Sequence, residues 1–137
     1  MRIFVLLLMF VLSVFAREYG VIVGSTLQAE GLTQENLRQI FLKKRRFLGE
    51  TKLVPLNQKP NSAIRRSFEK KILHMSHHRL KRYWTTQHYK GHRPPIQLSS
   101  DVSVIKFVQK IEGAIGYVDM AKIPKDAKVR ILYTWSE

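Results

Sequence analysis

The 137-residue chain carries 24 Lys+Arg against 10 Asp+Glu, a formal charge of +14, and no cysteine. Disulfides and thiolate chemistry are therefore excluded, and the length suits one domain with a core of its own rather than several. A field this positive attracts anionic partners.

Met1-Arg2 is a short positive start, and Ile3 to Phe15 is almost wholly apolar, ending at Ala16. This pattern reads as a secretory signal peptide cleaved after Ala16. The apolar run is shorter than the roughly 18–20 residues that span a bilayer, and the alternative is an N-terminal anchor that stays in place. Residues 17–137 are then the single domain, and an exported chain without cysteine fits a bacterial periplasm.

Tyr19 to Val23 reads as a buried strand, followed by a loop over 24–31. Thr33 is placed to cap a helix with Leu37, Ile40 and Phe41 on one face. That helix is predicted to run into the basic stretch Lys43-Lys44-Arg45-Arg46, which ends near Gly49. Lys52 to Leu56 is the second strand, and Pro55, lacking a donor, puts it at an edge or ends it there.

Asn61 or Ser62 caps the next helix, which carries Ile64, Phe68 and Ile72 as a stripe. Ser76 caps another, with Leu80, Tyr83 and Trp84 inward. Tyr89 to Gln97 is a loop with Gly91 and Pro94-Pro95. Ser99 or Ser100 caps a helix through Ile111, with Val104, Ile105, Val108 and Ile111 as its apolar side. Gly113 to Asp119 is a glycine-punctuated buried strand, and Lys128 to Thr134 a final one. Helices alternating with short strands make the class α/β, a short mixed sheet flanked by helices.

The segment from Asn57 to Arg66 is the candidate site. A strand runs through a polar turn into a helix start, where unpaired N–H groups and the positive dipole end favour an anion. Arg65 and Arg66 oppose that dipole in the first turn, and a bound anion explains them. The predicted anion-binding set is Asn57, Gln58, Asn61, Ser62, Ala63, Ile64, Arg65 and Arg66, with Ser62 also readable as a plain helix cap.

Other constellations are weaker. His74 with His78, and His88 with His92, have the four-residue spacing of metal pairs, but Ser76 and Gly91 interrupt them and no nearby carboxylate completes a site. No metal or other cofactor is expected. The carboxylates are scattered, and Ser62 lacks a His–Asp partnership, so no catalytic residue is assigned and the chain is not expected to be an enzyme. Tyr83 and Trp84 beside Arg82 fit a core stripe better than a base-stacking platform, and an exported chain rarely meets nucleic acid. Anionic lipid headgroups and lipopolysaccharide are alternatives as partners for the basic runs.

Three segments in series resemble one family. Leu32-Thr33-Gln34-Glu35-Asn36-Leu37-Arg38-Gln39-Ile40-Phe41-Leu42 is similar to the segment "L-S/T-x-E-x-L-x-x-I-F-x-G" of the periplasmic phosphate-binding proteins of ABC transporters. Asn57 to Phe68 lies where that family carries "N-R-x-x-G-S-G-T-R-x-x-F", and Gly113 to Val118 reads G-A-I-G-Y-V like its strand. The resemblance covers most of residues 21–119 and implies one lobe, the second, of a type II periplasmic-binding-protein fold. It implies an oxyanion held by backbone amides and hydroxyls, with Asn57, Ser62 and Arg65 matching the motif. Gln58 stands where the family has its anion-pairing arginine, Asn61 and Ala63 replace its glycines, and Ile64 replaces its threonine. Two functions follow as expectations. One is capture of phosphate or a similar oxyanion, with a transporter permease as partner. The other is an interaction module that has lost its ligand and docks through its basic face on a membrane sensor or envelope protein.

Overall fold

The structure, a computed structural model, describes residues 16–137. The apolar segment 1–15, and with it the signal-peptide reading, lies outside the described residues. In chain order the elements are β1 (Glu18–Gly24), α1 (Gln34–Phe41), β2 (Phe47–Leu48), β3 (Thr51–Lys52) and β4 (Val54–Asn57). Then come α2 (Ala63–Phe68), which continues as a π-helical turn over Glu69–Leu73, α3 (His77–Tyr89), β5 (Ile96–Gln97), α4 (Asp101–Lys110), β6 (Ala114–Asp119) and β7 (Val129–Ser136).

Five strands form one mixed sheet in the order β5-β4-β6-β1-β7. β4 is parallel to both β5 and β6, while β1 is antiparallel to β6 and β7. Alternation along the strands gives each face its own core. Tyr19, Val21 and Val23 of β1, with Ile115 and Tyr117 of β6, face α1, α2 and Leu80 of α3. Ile22, Ala114 and Val118 face Val104, Ile105 and Val108 of α4. This is the α/β class that the residue pattern predicts, built as a short mixed sheet flanked by helices.

The caps hold. Thr33 and Asn36 form a reciprocal capping box at 3.1 Å each way. Ser62, Ser76 and Ser100 each accept from the backbone N–H three residues on. The glycines of G-A-I-G-Y-V are structural. Gly113 turns at φ +82, and a Cβ at Gly116 would sit 2.5 Å from Val104, so the second glycine lets α4 lie against the sheet.

Three expectations need correction. The first helix does not continue through the basic run. Lys44 N–H bonds Gln39 O and Lys43 N–H bonds Ile40 O, closing the helix with Lys43 in the left-handed region at φ 58. The chain then makes a hairpin of β2 and β3 around Gly49. β4 is not an edge strand, although Pro55 explains its pairing. Val54 donates to Gly113, and Asn57 accepts from Leu98 on the other side. By alternation Pro55 faces the β5 side, where that two-residue strand begins only opposite Leu56. Ile111 is 43% exposed rather than inward, because as C-cap of α4 it has already turned extended.

Candidate functional site

β4 delivers Asn57 and Gln58 to the carboxyl end of the sheet, and the turn 59–62 feeds α2. The aromatic core below fixes this platform. Phe68 stacks on Tyr117 with ring centroids 4.1 Å apart, and Phe41 meets Phe68 edge-on at 4.7 Å. Tyr117 is fully buried, which pushes its phenol far above the ordinary tyrosine value, so it stays a neutral donor. That hydroxyl donates to Asn57 Oδ1 and accepts from Gln58 N–H at 3.2 Å.

The predicted side-chain donors are turned inward. Gln58 is 4% exposed, and its amide donates to Asp101 Oδ1 at 2.7 Å and to the Tyr117 carbonyl at 2.9 Å. Ser62 Oγ donates to Lys59 O at 2.7 Å while accepting from Arg65 N–H at 3.3 Å. Arg65 pairs with Glu69 Oε1 at 3.0 Å and donates to Gln58 O at 2.8 Å. Glu69 is itself buried, and this pairing along the helix lowers the penalty of placing a carboxylate there. An anion is therefore not needed to account for Arg65.

The remaining members of the set divide. Asn61, Ala63 and Arg66 are exposed, and Ile64 is buried in the core. Ser62 N–H is bonded to Lys59 O, and Arg66 N–H to Ser62 O. The Ala63 and Ile64 amides find no acceptor among the described residues. The structure thus brings all eight residues to one turn but leaves the backbone donors of Asn61, Ala63 and Ile64 and the side chains of Asn61 and Arg66 without an internal partner among the described residues.

Sequence reasoning missed the groups that occupy these donors. Glu69 four residues after Arg65 is a helical pair visible in the sequence. Asp101 and Tyr117 lie 43 and 59 residues from Gln58, and no local signal connects them. The histidine pairs are separated at Ser76 and Gly91, the residues that interrupt them in the sequence. Ser76 begins α3 between His74 and His78, and Gly91 ends the helix before His92. His74 contacts Gln34, and His92 contacts Gln87. Among the described residues no group of three His, Cys, Asp or Glu side chains could hold a metal, and no helix is long and apolar enough to cross a membrane.

No protein-family model matches the chain, and no curated protein matches it in sequence. Solved structures do match. An ABC-type phosphate transport receptor from Vibrio cholerae superposes with a TM-score of 0.67 at 15% identity, over 85% of this chain and 46% of that one. A protein from Clostridium perfringens, described as a phosphate ABC transporter substrate-binding protein with bound phosphate, gives 0.68 at 18% identity, over 85% and 45%. PstS from Borrelia burgdorferi gives 0.64 at 17% identity, over 85% and 47%. The chain spans about half the length of these structures, and at such identities the likeness is one of fold. Its architecture is that of a single lobe of a type II periplasmic-binding-protein-like fold.

Proposed function

We propose that this chain is a non-catalytic, exported solute-binding-type lobe that works by docking rather than by enclosing an anion alone. The observation that carries the reading is the internal use of Gln58, Ser62 and Arg65 at the turn where an oxyanion would be gripped. One lobe cannot desolvate an anion from both sides, and a water-exposed site weakens each charge–charge contact severalfold. The docking face is the basic run Lys43 to Arg46, and the partner is a membrane sensor, a transporter permease or another envelope protein.

Calorimetry with phosphate and with sulfate at low salt tests the first half. No saturable heat at the α2 turn is expected. Saturable phosphate binding that Ser62→Ala together with Arg66→Gln removes would overturn it. Retention on isolated envelope membranes tests the second half. Reversing the charges at Lys43, Lys44, Arg45 and Arg46 should abolish it, and unchanged retention counts against this face.

A second reading is favoured by the unbonded Ala63 and Ile64 amides. They lie at the helix start that resembles the phosphate motif, and the similar Clostridium perfringens structure holds phosphate. In this reading a small oxyanion rests on those amides beside Ser62 and Arg66, with a second wall supplied by a partner. The same titration repeated with the partner present decides it: heat that appears only then, and that Ser62→Ala removes, selects this reading.

A further inference from the structure

At the other end of β4 lies a different kind of cavity. It measures about 260 Å³ and is lined by Lys43, Arg45, Arg46, Lys52, His92 and Arg93, over a floor that includes Leu53 and Pro55. Three pieces of chain that are distant in sequence make it: the end of α1, the β2–β3 hairpin, and the loop between α3 and β5. No carboxylate of the described residues lines it. Among the described residues the ion pairs all involve Glu69, so none of these cations has an acidic partner there.

The cavity is held in shape by the backbone. The Leu53 N–H donates to Arg46 O at 2.8 Å, and Arg45 Nε donates to Phe47 O at 3.3 Å. His92 is fixed through Nδ1 to Gln87 at 2.8 Å. Lys43 is the telling residue. It occupies the left-handed helix-closing position that favours glycine, at φ 58, and it is half-buried. Burial, then Arg46 and Lys52, hold its ammonium below the ordinary lysine value. A strained backbone and crowded like charges oppose stability, and such features collect where a ligand compensates them.

We propose that this basic cavity is a binding site for a small ligand carrying linked phosphate groups, a diphosphate unit or longer. A lone tetrahedral oxyanion would leave most of the cationic side chains unneutralised. Two linked phosphates can engage both the hairpin cations and Arg93, each through charge-assisted hydrogen bonds. The volume is just below the roughly 300–1,000 Å³ typical of small-molecule sites, and the recess fits a compact ligand better than a protein segment. This site lies apart from the α2 turn. The cavity shares Lys43, Arg45 and Arg46 with the proposed docking face, but its test needs no partner protein, so the two readings fail separately.

The test is calorimetric titration of the chain with inorganic pyrophosphate, beside phosphate and sulfate, at one fixed, near-physiological ionic strength. Pyrophosphate should bind one-to-one and at least tenfold more tightly than either single oxyanion. Lys43→Gly combined with Arg46→Gln should weaken it tenfold or more, in a chain whose circular dichroism is unchanged. Lys70→Gln combined with Lys106→Gln removes the same charge from other surfaces and should change affinity less than about twofold, since remote exposed charges are screened beyond ~8 Å. Equal losses in the two double variants, or equal affinity for phosphate and pyrophosphate, would overturn the site in favour of diffuse net charge. Phosphatidylcholine vesicles containing phosphatidic acid should leave bound pyrophosphate in place. Vesicles that displace it from the wild type would reassign the cavity to a lipid phosphate headgroup and overturn the soluble ligand.

Discussion

The two ends of β4 treat charge in opposite ways. At the carboxyl end, Arg65 is answered by Glu69, and Gln58 by Asp101 and the Tyr117 carbonyl. At the amino end, Lys43, Arg46, Lys52 and Arg93 gather around a recess that no carboxylate of the described residues lines. The end that resembles a ligand site in sequence has its Gln58, Ser62 and Arg65 side chains bonded internally, while the end without a motif holds cations with no acidic partner among the described residues. Matching a motif places residues in space, but the availability of their donors depends on what else the fold brings there.

The largest expected effect tests how far the carboxyl end is built as a scaffold. Asn57 Oδ1 accepts from the Tyr117 hydroxyl and from Gln58 N–H inside the core. Asn57→Ala strands a buried phenol and weakens the anchoring of a buried amide. A loss of about 2–3 kcal/mol in denaturant unfolding is expected. A loss under ~0.5 kcal/mol would mean that water already reaches this network and that the turn is not closed.

A smaller change should convert one end toward the other. Glu69→Gln keeps a hydrogen-bond acceptor for Arg65 but removes the opposing charge. Unfolding free energy should fall by about 1 kcal/mol, the difference between a hydrogen bond to a charged group (about 1.5–3 kcal/mol) and a neutral one (about 0.5–1.5 kcal/mol). Arg65 is then less tightly held, and phosphate heat at the α2 turn should rise from none in the wild type to a saturable signal in calorimetry. If it does not rise, the guanidinium is positioned by the Gln58 carbonyl rather than restrained by Glu69.

Much of the scaffold was legible locally. Thr33, Ser62, Ser76 and Ser100 cap the helices as their side-chain oxygens allow, and Leu37, Ile40 and Phe41 face inward at helical spacing. The hairpin of β2 and β3 was not, because the residue that closes α1 is Lys43 where a glycine would have marked the stop. Pro55 suggested an edge because one strand cannot reveal that its neighbour is only two residues long. The occupancy of Gln58 was hidden for a related reason: its partners are set by the sheet order, which brings β6 and the start of α4 beside β4.

An effect of similar size has the opposite sign and bears on the amino end. Lys43→Gly relieves a left-handed residue and removes one of three crowded cations, so the chain should gain about 1 kcal/mol in unfolding free energy. Its dependence on pH follows from the lowered Lys43 ammonium. The unfolded chain holds that proton more tightly than the folded one, so wild-type stability rises with pH between the folded value and the unfolded value near ~10.4. The advantage of Lys43→Gly should therefore be greatest at neutral pH and shrink as pH climbs toward ~10. Thermal midpoints of both proteins across that range measure it. A constant difference would assign the gain to backbone strain alone, whereas a shrinking one shows that burial, with Arg46 and Lys52 beside it, opposes the Lys43 charge at this end of β4.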